Sequence, residues 1–140
     1  MTRFNTRAIV IGALSMLALD IMTGSVAWSV FGDEALHSNS TPAEVMAAAN
    51  SLGQNSDYLL TSLFLGTFST VLGGYIAARL AKNLPLFNAC AVGVVGIAIG
   101  ILLGEQSDSP GWFNALGYLS TIPAAIVGGW LARNEKRPVP

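Results

Sequence analysis

The sequence has few charged residues, and their charges nearly cancel. Only 11% of its 140 residues are Asp, Glu, Lys or Arg, whereas 52% are hydrophobic. Because soluble domains carry about 25% charged residues, this chain needs lipid or a partner to cover its apolar side chains. The net charge of −1 provides no basic surface of the kind that binds nucleic acid. We therefore predict a lipid bilayer as its surroundings and no nucleic-acid partner.

Residues that commonly perform catalysis or bind metals are equally scarce. The chain has one Cys, Cys90, and one His, His37, which excludes an internal disulfide and the common zinc-ligand spacings. The long apolar runs of the sequence are residues 8–31, 58–81, 86–104 and 112–132. His37 lies outside them, so no Ser–His pair forms within them. Asp20 is the only acid in those segments, which excludes an intramembrane pair of carboxylates. We predict that the protein is not an enzyme and has no cofactor or metal.

Long hydrophobic runs, in contrast, are abundant. A helix needs about 20 residues to cross the hydrocarbon core of a bilayer, and four runs come close to or exceed that length: 8–31, 58–81, 86–104 and 112–132. They lack the two-residue alternation of strands, and helices satisfy their own backbone hydrogen bonds in lipid. We predict an all-α polytopic membrane protein, with four transmembrane helices in one domain over residues 1–140.

The basic residues indicate the orientation of these helices. They lie before the first run, at the end of the second and after the fourth, namely Arg3, Arg7, Arg79, Lys82, Arg133, Lys136 and Arg137. Since Lys and Arg are retained on the cytoplasmic side, we predict that both termini are cytoplasmic. A cleaved signal peptide ending near Ser25-Val26-Ala27 is the alternative for the first run. We favour a retained helix because the run is long and carries Asp20.

The longest connection, residues 32–57, contains a helix signal of its own. Thr41 and Glu44 form a capping box around Pro42, which suits the first helical position. We predict a short helix over about 42–52 with Val45, Met46, Ala49 and Leu52 on one face. We favour a helix that rests on the membrane interface or on the other helices over a lid above an outer opening.

The second and fourth runs resemble each other. Residues 65–70 match 116–121, and residues 73–79 resemble 128–133. This match suggests two helical hairpins related by an internal repeat. Both runs, and the third, also carry rows of small residues suited to close helix packing, within the bundle or between copies. These residues are Gly66, Gly73, Gly74, Gly96, Gly100, Gly104, Gly117, Gly128 and Gly129.

Asp20 is the most informative polar residue, because it lies near the middle of the first run. An ionised Asp at the bilayer centre costs at least about 2.5 kcal/mol, and such acids usually face the bundle interior. Counting depth along the runs places five further residues near its level, namely Ser69, Thr70, Ser120, Thr121 and Pro123. Asp20 either donates a structural hydrogen bond to this cluster or exchanges a proton or cation along a polar path.

The segment Gly73-Gly74-Tyr75-Ile76-Ala77-Ala78-Arg79-Leu80-Ala81, followed by Leu84-Pro85-Leu86, carries a family resemblance over about residues 60–104. It resembles a GGYxAAR-type helix end in small, uncharacterised bacterial four-helix inner-membrane proteins. The resemblance implies a bacterial inner-membrane location and no established activity. Small multidrug transporters also have four spans and an acid in the first, but this chain has an Asp, a long outer loop and a one-sided charge distribution.

Two functions are consistent with these features. The first is a non-catalytic inner-membrane protein that acts through helix packing with itself or with a larger membrane protein. The rows of small residues favour it. The alternative is a small proton- or cation-coupled transporter or channel subunit that uses Asp20.

Overall fold

A computed structural model of the chain describes residues 4–32, 40–81, 83–104 and 109–135. These residues form five α-helices and no strand, which confirms the all-α prediction: α1 (Thr6–Phe31), α2 (Pro42–Leu52), α3 (Ser56–Leu80), α4 (Pro85–Gly104) and α5 (Gly111–Glu135). Among these described helices, α1, α3, α4 and α5 are long and apolar enough to cross a membrane. The chain therefore has the architecture of a small multi-pass integral membrane protein.

Helix α3 is the centre of the bundle. It packs against α5, α1 and α4, while α4 also packs against α5 and α1. Gly74 lies against Ala125, and Arg79 near the end of α3 pairs with Glu135, the last residue of α5, so α3 and α5 run in parallel. Helix α1 runs antiparallel to α3, since Phe31 at the end of α1 stacks edge-on against Tyr58 near the start of α3, while Gly12 in the first half of α1 meets Gly73 in the second half of α3.

The core consists mainly of small residues. Ala77, Ala78, Ala89, Ala125 and Ala132 are completely buried. Large side chains face outwards, as with Phe64, Leu102 and Leu119, which are 72–73% exposed. Small residues let helix backbones approach closely, and an outward apolar surface is what lipid requires.

The basic residues within the described chain lie near the ends of the helices. Arg7 lies near the start of α1, and Arg79 and Arg133 lie near the ends of α3 and α5. The helix directions place these three at the same end of the bundle. There the Arg79 guanidinium pairs with Glu135 at 2.6 Å, with both side chains about half exposed. Arg3, Lys82, Lys136 and Arg137 lie outside the described residues.

Helix α2 begins with the predicted capping box. The Thr41 hydroxyl accepts from the Glu44 amide, and the Glu44 carboxylate accepts from the Thr41 amide at 2.7 Å. Leu52 is buried, but Val45 and Met46 of the same apolar face are exposed. The helix therefore leaves most of this face uncovered by the rest of the described chain, as expected of a helix that rests on a membrane interface.

We expect Thr41→Ala to loosen α2, because it removes the acceptor for the Glu44 amide. Loss of an N-cap costs about 1 kcal/mol, so amide exchange in α2 is expected to accelerate about fivefold. The hydrogen bonds from Thr41 hold the pKa of Glu44 below its usual value. This capping contact is therefore complete above the ordinary Glu pKa and is lost as the pH falls through the lowered one. Unchanged exchange in Thr41→Ala, alongside an Asn50→Ala control on the same helix, would contradict this account.

Candidate functional site

Asp20 and Ser69 form a direct side-chain contact between α1 and α3. Asp20 is the fifteenth of the 26 residues of α1, far from either end of an apolar helix. The Ser69 hydroxyl donates to Asp20 Oδ1, and Ser69 itself is completely buried. Ser69 was placed at the level of Asp20 from the sequence, and the two residues do meet in the structure.

The second carboxylate oxygen of Asp20 remains available. Within the described residues, Asp20 Oδ2 has no hydrogen-bond partner, and the Asp20 residue is only half-buried. The acid is thus anchored through one oxygen while the other is left for a proton, a water molecule or a ligand.

Asp20 lines an open cavity of about 340 Å³ between α1, α3, α4 and α5. Its wall combines hydroxyls, glycines and a few apolar side chains. The lining residues are Met16, Asp20, Ser62, Leu63, Gly66, Thr67, Thr70, Gly96, Gly100, Phe113, Asn114, Gly117, Tyr118, Ser120 and Thr121. In this set Asp20 is the only residue with a charged side chain, so any electrostatic selection in the cavity favours a positive ligand.

The cavity extends towards one end of the bundle and closes towards the other. Phe113 and Asn114 lie in the first turn of α5, and Ser62 lies near the start of α3. In the opposite direction, a Cβ added to Gly12 would lie 2.7 Å from the Gly73 carbonyl oxygen, so the backbones of α1 and α3 are in contact there. The lining therefore continues only towards the end of the bundle at which α3 and α5 begin.

Asp20 also borders a smaller cavity of about 200 Å³ between α1 and α3. Thr23, Gly24, Ser62 and Gly66 lie in its wall. Neither Gly24 nor Gly66 has an atom within 4 Å of the position that a Cβ would take. Because Gly24 and Gly66 have no side chains, they leave space between α1 and α3 beside Asp20.

The threonines and Ser120 of the main cavity use their protons within their own helices. Thr70 donates to Gly66 O at 2.8 Å and Thr121 to Gly117 O at 2.7 Å. Thr67 donates to Leu63 O and Ser120 to Gly117 O. Such bonds to the preceding turn are typical of Ser and Thr in helices. A hydroxyl whose proton is already donated offers only lone pairs to any molecule beside it.

No family model, curated protein or solved structure matches the chain. The evidence for a functional site is therefore the geometry of the cavity.

The cavity brings together most of the polar cluster considered from the sequence. Asp20, Thr70, Ser120 and Thr121 line it, and Ser69 joins through its bond to Asp20. Pro123 is exposed on α5 and is absent from the lining. Proline has no amide hydrogen and so leaves one carbonyl of the preceding turn without its helical partner; that this carbonyl serves Asp20 remains a prediction.

The glycines fall into three groups by what surrounds them. Gly73, Gly74, Gly128 and Gly129 lie so close to neighbouring helices that an added Cβ would overlap other atoms. Gly96 and Gly100 lie against Met16, Thr121 and Tyr118 side chains at the cavity. Gly66 and Gly117 face open cavity space. Gly104 ends α4, and its packing lies outside what the structure describes.

Tyr118, Asn114 and Thr67 also line the cavity, and the sequence analysis did not select them. The sequence contains a signal for each of the three. Asn114 precedes Thr121 by seven residues, or about two helical turns, and so shares its face. Thr67 and Tyr118 occupy the same position in the two similar segments, directly after Gly66 and Gly117. Residues 33–39, which include His37, lie outside the described part of the chain.

Proposed function

We propose that this protein is a small proton- or cation-coupled transporter or channel subunit whose binding site is built around Asp20. One observation carries the proposal: Asp20 lines a cavity instead of being sealed between helices, and one of its oxygens has no partner within the described residues. Intramembrane acids that face cavities commonly lie on ion or substrate pathways.

The close glycines bear on the other function, helix packing with itself or with a partner. Gly74 and Gly128 are each in contact with the backbone of a neighbouring helix of the same chain. These glycines are therefore used within the bundle and offer no surface to a second molecule. Self-association and binding to a larger membrane protein remain predictions, and either interaction would have to use other residues.

We further propose a bacterial inner-membrane location with both termini in the cytoplasm. Arg7, Arg79 and Arg133 at one end of the bundle support this orientation through the positive-inside rule. In that orientation the cavity extends towards the outer face. The proposed membrane placement of α2 at that face agrees with its exposed Val45 and Met46.

Carbodiimide labelling tests the proposed role of Asp20. Dicyclohexylcarbodiimide reacts with protonated carboxyls in apolar surroundings, and mass spectrometry of the protein in liposomes identifies the labelled residue. We expect Asp20 to be labelled, the labelling to fall as the pH rises, and a bound cation to protect it. Asp20→Asn should remove the label and preserve the fold, because the amide oxygen still accepts from Ser69.

The matched control is Asp57→Asn, which changes an exposed acid in the first turn of α3. It should leave the labelling of Asp20 unchanged. Labelling of Asp20 that ignores both pH and every cation tested would point to a permanently protonated structural acid and contradict the proposal.

A further inference from the structure

The hydroxyls around Asp20 provide the first criterion for a ligand of this cavity. Thr67, Thr70, Ser120 and Thr121 all donate to carbonyls of their own helices, so they present acceptors to the cavity. Asp20 adds a carboxylate oxygen without a partner among the described residues. Most of the cavity surface is apolar, and the carboxylate and these four hydroxyls are acceptors, so a ligand with hydrogen-bond donors beside an apolar part complements it.

The size of the cavity adds a second criterion. A volume of about 340 Å³ lies at the lower end of the range typical of small-molecule sites, roughly 300–1,000 Å³. A bare metal ion instead needs several oxygens within about 2.6 Å on all sides. The described residues include no group of three or more His, Cys, Asp or Glu that would hold one.

Apolar side chains provide a third criterion. The apolar side chains of Met16, Leu63 and Phe113 line the same cavity as Asp20. This part of the wall suits a hydrocarbon group of a ligand. The Phe113 and Tyr118 rings are able to attract a cation through their faces when it lies within about 6 Å. A ligand with a charged donor end and a short apolar part would match both regions.

We propose that the cavity binds a small organic ammonium ion through its N–H groups, with Asp20 as counter-ion and Thr70 and Thr121 as hydrogen-bond acceptors. This assignment rests on the proposed function of Asp20 and names its ligand class. The ammonium N–H groups donate to the carboxylate and to the hydroxyl lone pairs. A quaternary ammonium ion has the same charge but no N–H group, and it leaves those acceptors without partners.

The test uses the full-length protein in lipid nanodiscs and a methylation series of one probe. The series is hexylammonium, its N-methyl and N,N-dimethyl derivatives, and hexyltrimethylammonium, with hexanol as the neutral control. Dissociation constants are measured by calorimetry at pH 7. Each step replaces one N–H donor by a methyl group while the charge stays the same. We expect affinity to fall along the series by at least tenfold in total, since sites built for hydrogen bonds reject analogues that lack the donors.

Variants of the acceptors make the test specific. Thr70→Val and Thr121→Val remove the hydroxyl and keep a similar shape, so they should weaken hexylammonium and leave hexyltrimethylammonium unchanged. Asp20→Asn should weaken every charged member of the series. These results would support the assignment.

Two results would overturn it in distinguishable ways. If all four cations bind equally, or more tightly with methylation, while Asp20→Asn still weakens them, then the site binds cations without using N–H donors. Asp20 would in that case keep its proposed role. If none binds and carbodiimide labelling of Asp20 is independent of pH, the proposed function fails together with the ligand assignment.

Discussion

Replacing Gly128 by Ala is expected to lower the free energy of unfolding by about 3 kcal/mol, at the upper end of the usual cost of overpacking. A Cβ at this position would overlap the Val71 carbonyl oxygen and lie 2.7 Å from the Tyr75 amide nitrogen. Both atoms belong to the backbone of α3, so no side chain can rotate away. To accommodate the Cβ atom, α3 and α5 must move apart, which weakens the packing between them.

Gly74→Ala should behave in the same way from the other side of the contact. Its Cβ would overlap the carbonyl oxygen of Ala125 and lie 2.8 Å from the Cα atom of that residue. Because both substitutions act on one interface, we expect the double variant to cost less than the sum of the two single changes. Unfolding in mixed micelles, followed by circular dichroism, measures all three.

Gly66→Ala and Gly117→Ala are the matched controls. They lie on the same two helices, but neither has an atom within 4 Å of the added Cβ. We expect no destabilisation, and a gain of at most about 1 kcal/mol because Ala has the higher helix propensity. Equal destabilisation by Gly66→Ala and Gly74→Ala would show that the close approach of α3 and α5 does not set the stability of the bundle.

This contrast also shows what the sequence does and does not determine. Gly66 and Gly74 belong to one row of small residues spaced by four, so the pattern assigns both to helix packing. The rotation and crossing of the helices decide that Gly74 meets a backbone whereas Gly66 borders a cavity. Spacing along one helix contains no information about the distance to the next, so the two roles cannot be separated from the sequence.

The four apolar helices, in contrast, could be predicted because length and hydrophobicity alone decide them. The neighbourhood of Asp20 could be predicted in part, since counting residues from each end of a run gives depth in the membrane. Depth placed Ser69 beside the acid, but it also included Pro123, which faces away from the cavity. Depth fixes the level of a residue and leaves its direction around the helix open.

Asn88→Ala is expected to cost about 3 kcal/mol through the loss of a buried polar connection. Asn88 is completely buried, and its Oδ1 accepts from the Asn5 amide at 2.9 Å. Its Nδ2 donates to the carbonyls of Asn83 at 3.1 Å and Leu84 at 2.9 Å. Each buried group left without a partner costs about 1–3 kcal/mol, with partial compensation by relaxation.

Removing these hydrogen bonds should loosen the backbone at two places, because Asn88 connects the start of α1 to the turn before α4. Leu84 in that turn has a φ of 50°, a left-handed conformation that costs a non-glycine residue about 1–2 kcal/mol. The hydrogen bond from Asn88 to the Leu84 carbonyl helps to hold it. Asn88→Ala is therefore expected to increase amide exchange both near Asn5 and across residues 83–88.

Two further variants make this prediction specific. Asn88→Asp keeps an acceptor for the Asn5 amide but replaces the donor by a second oxygen facing the Asn83 and Leu84 carbonyls, so it should destabilise at least as much as Ala. Asn114→Ala removes an Asn whose side chain has no hydrogen bond among the described residues, and it should change the unfolding free energy by less than about 0.5 kcal/mol. If Asn88→Ala were as mild as Asn114→Ala, the turn before α4 would be stabilised by its apolar packing and not by this amide.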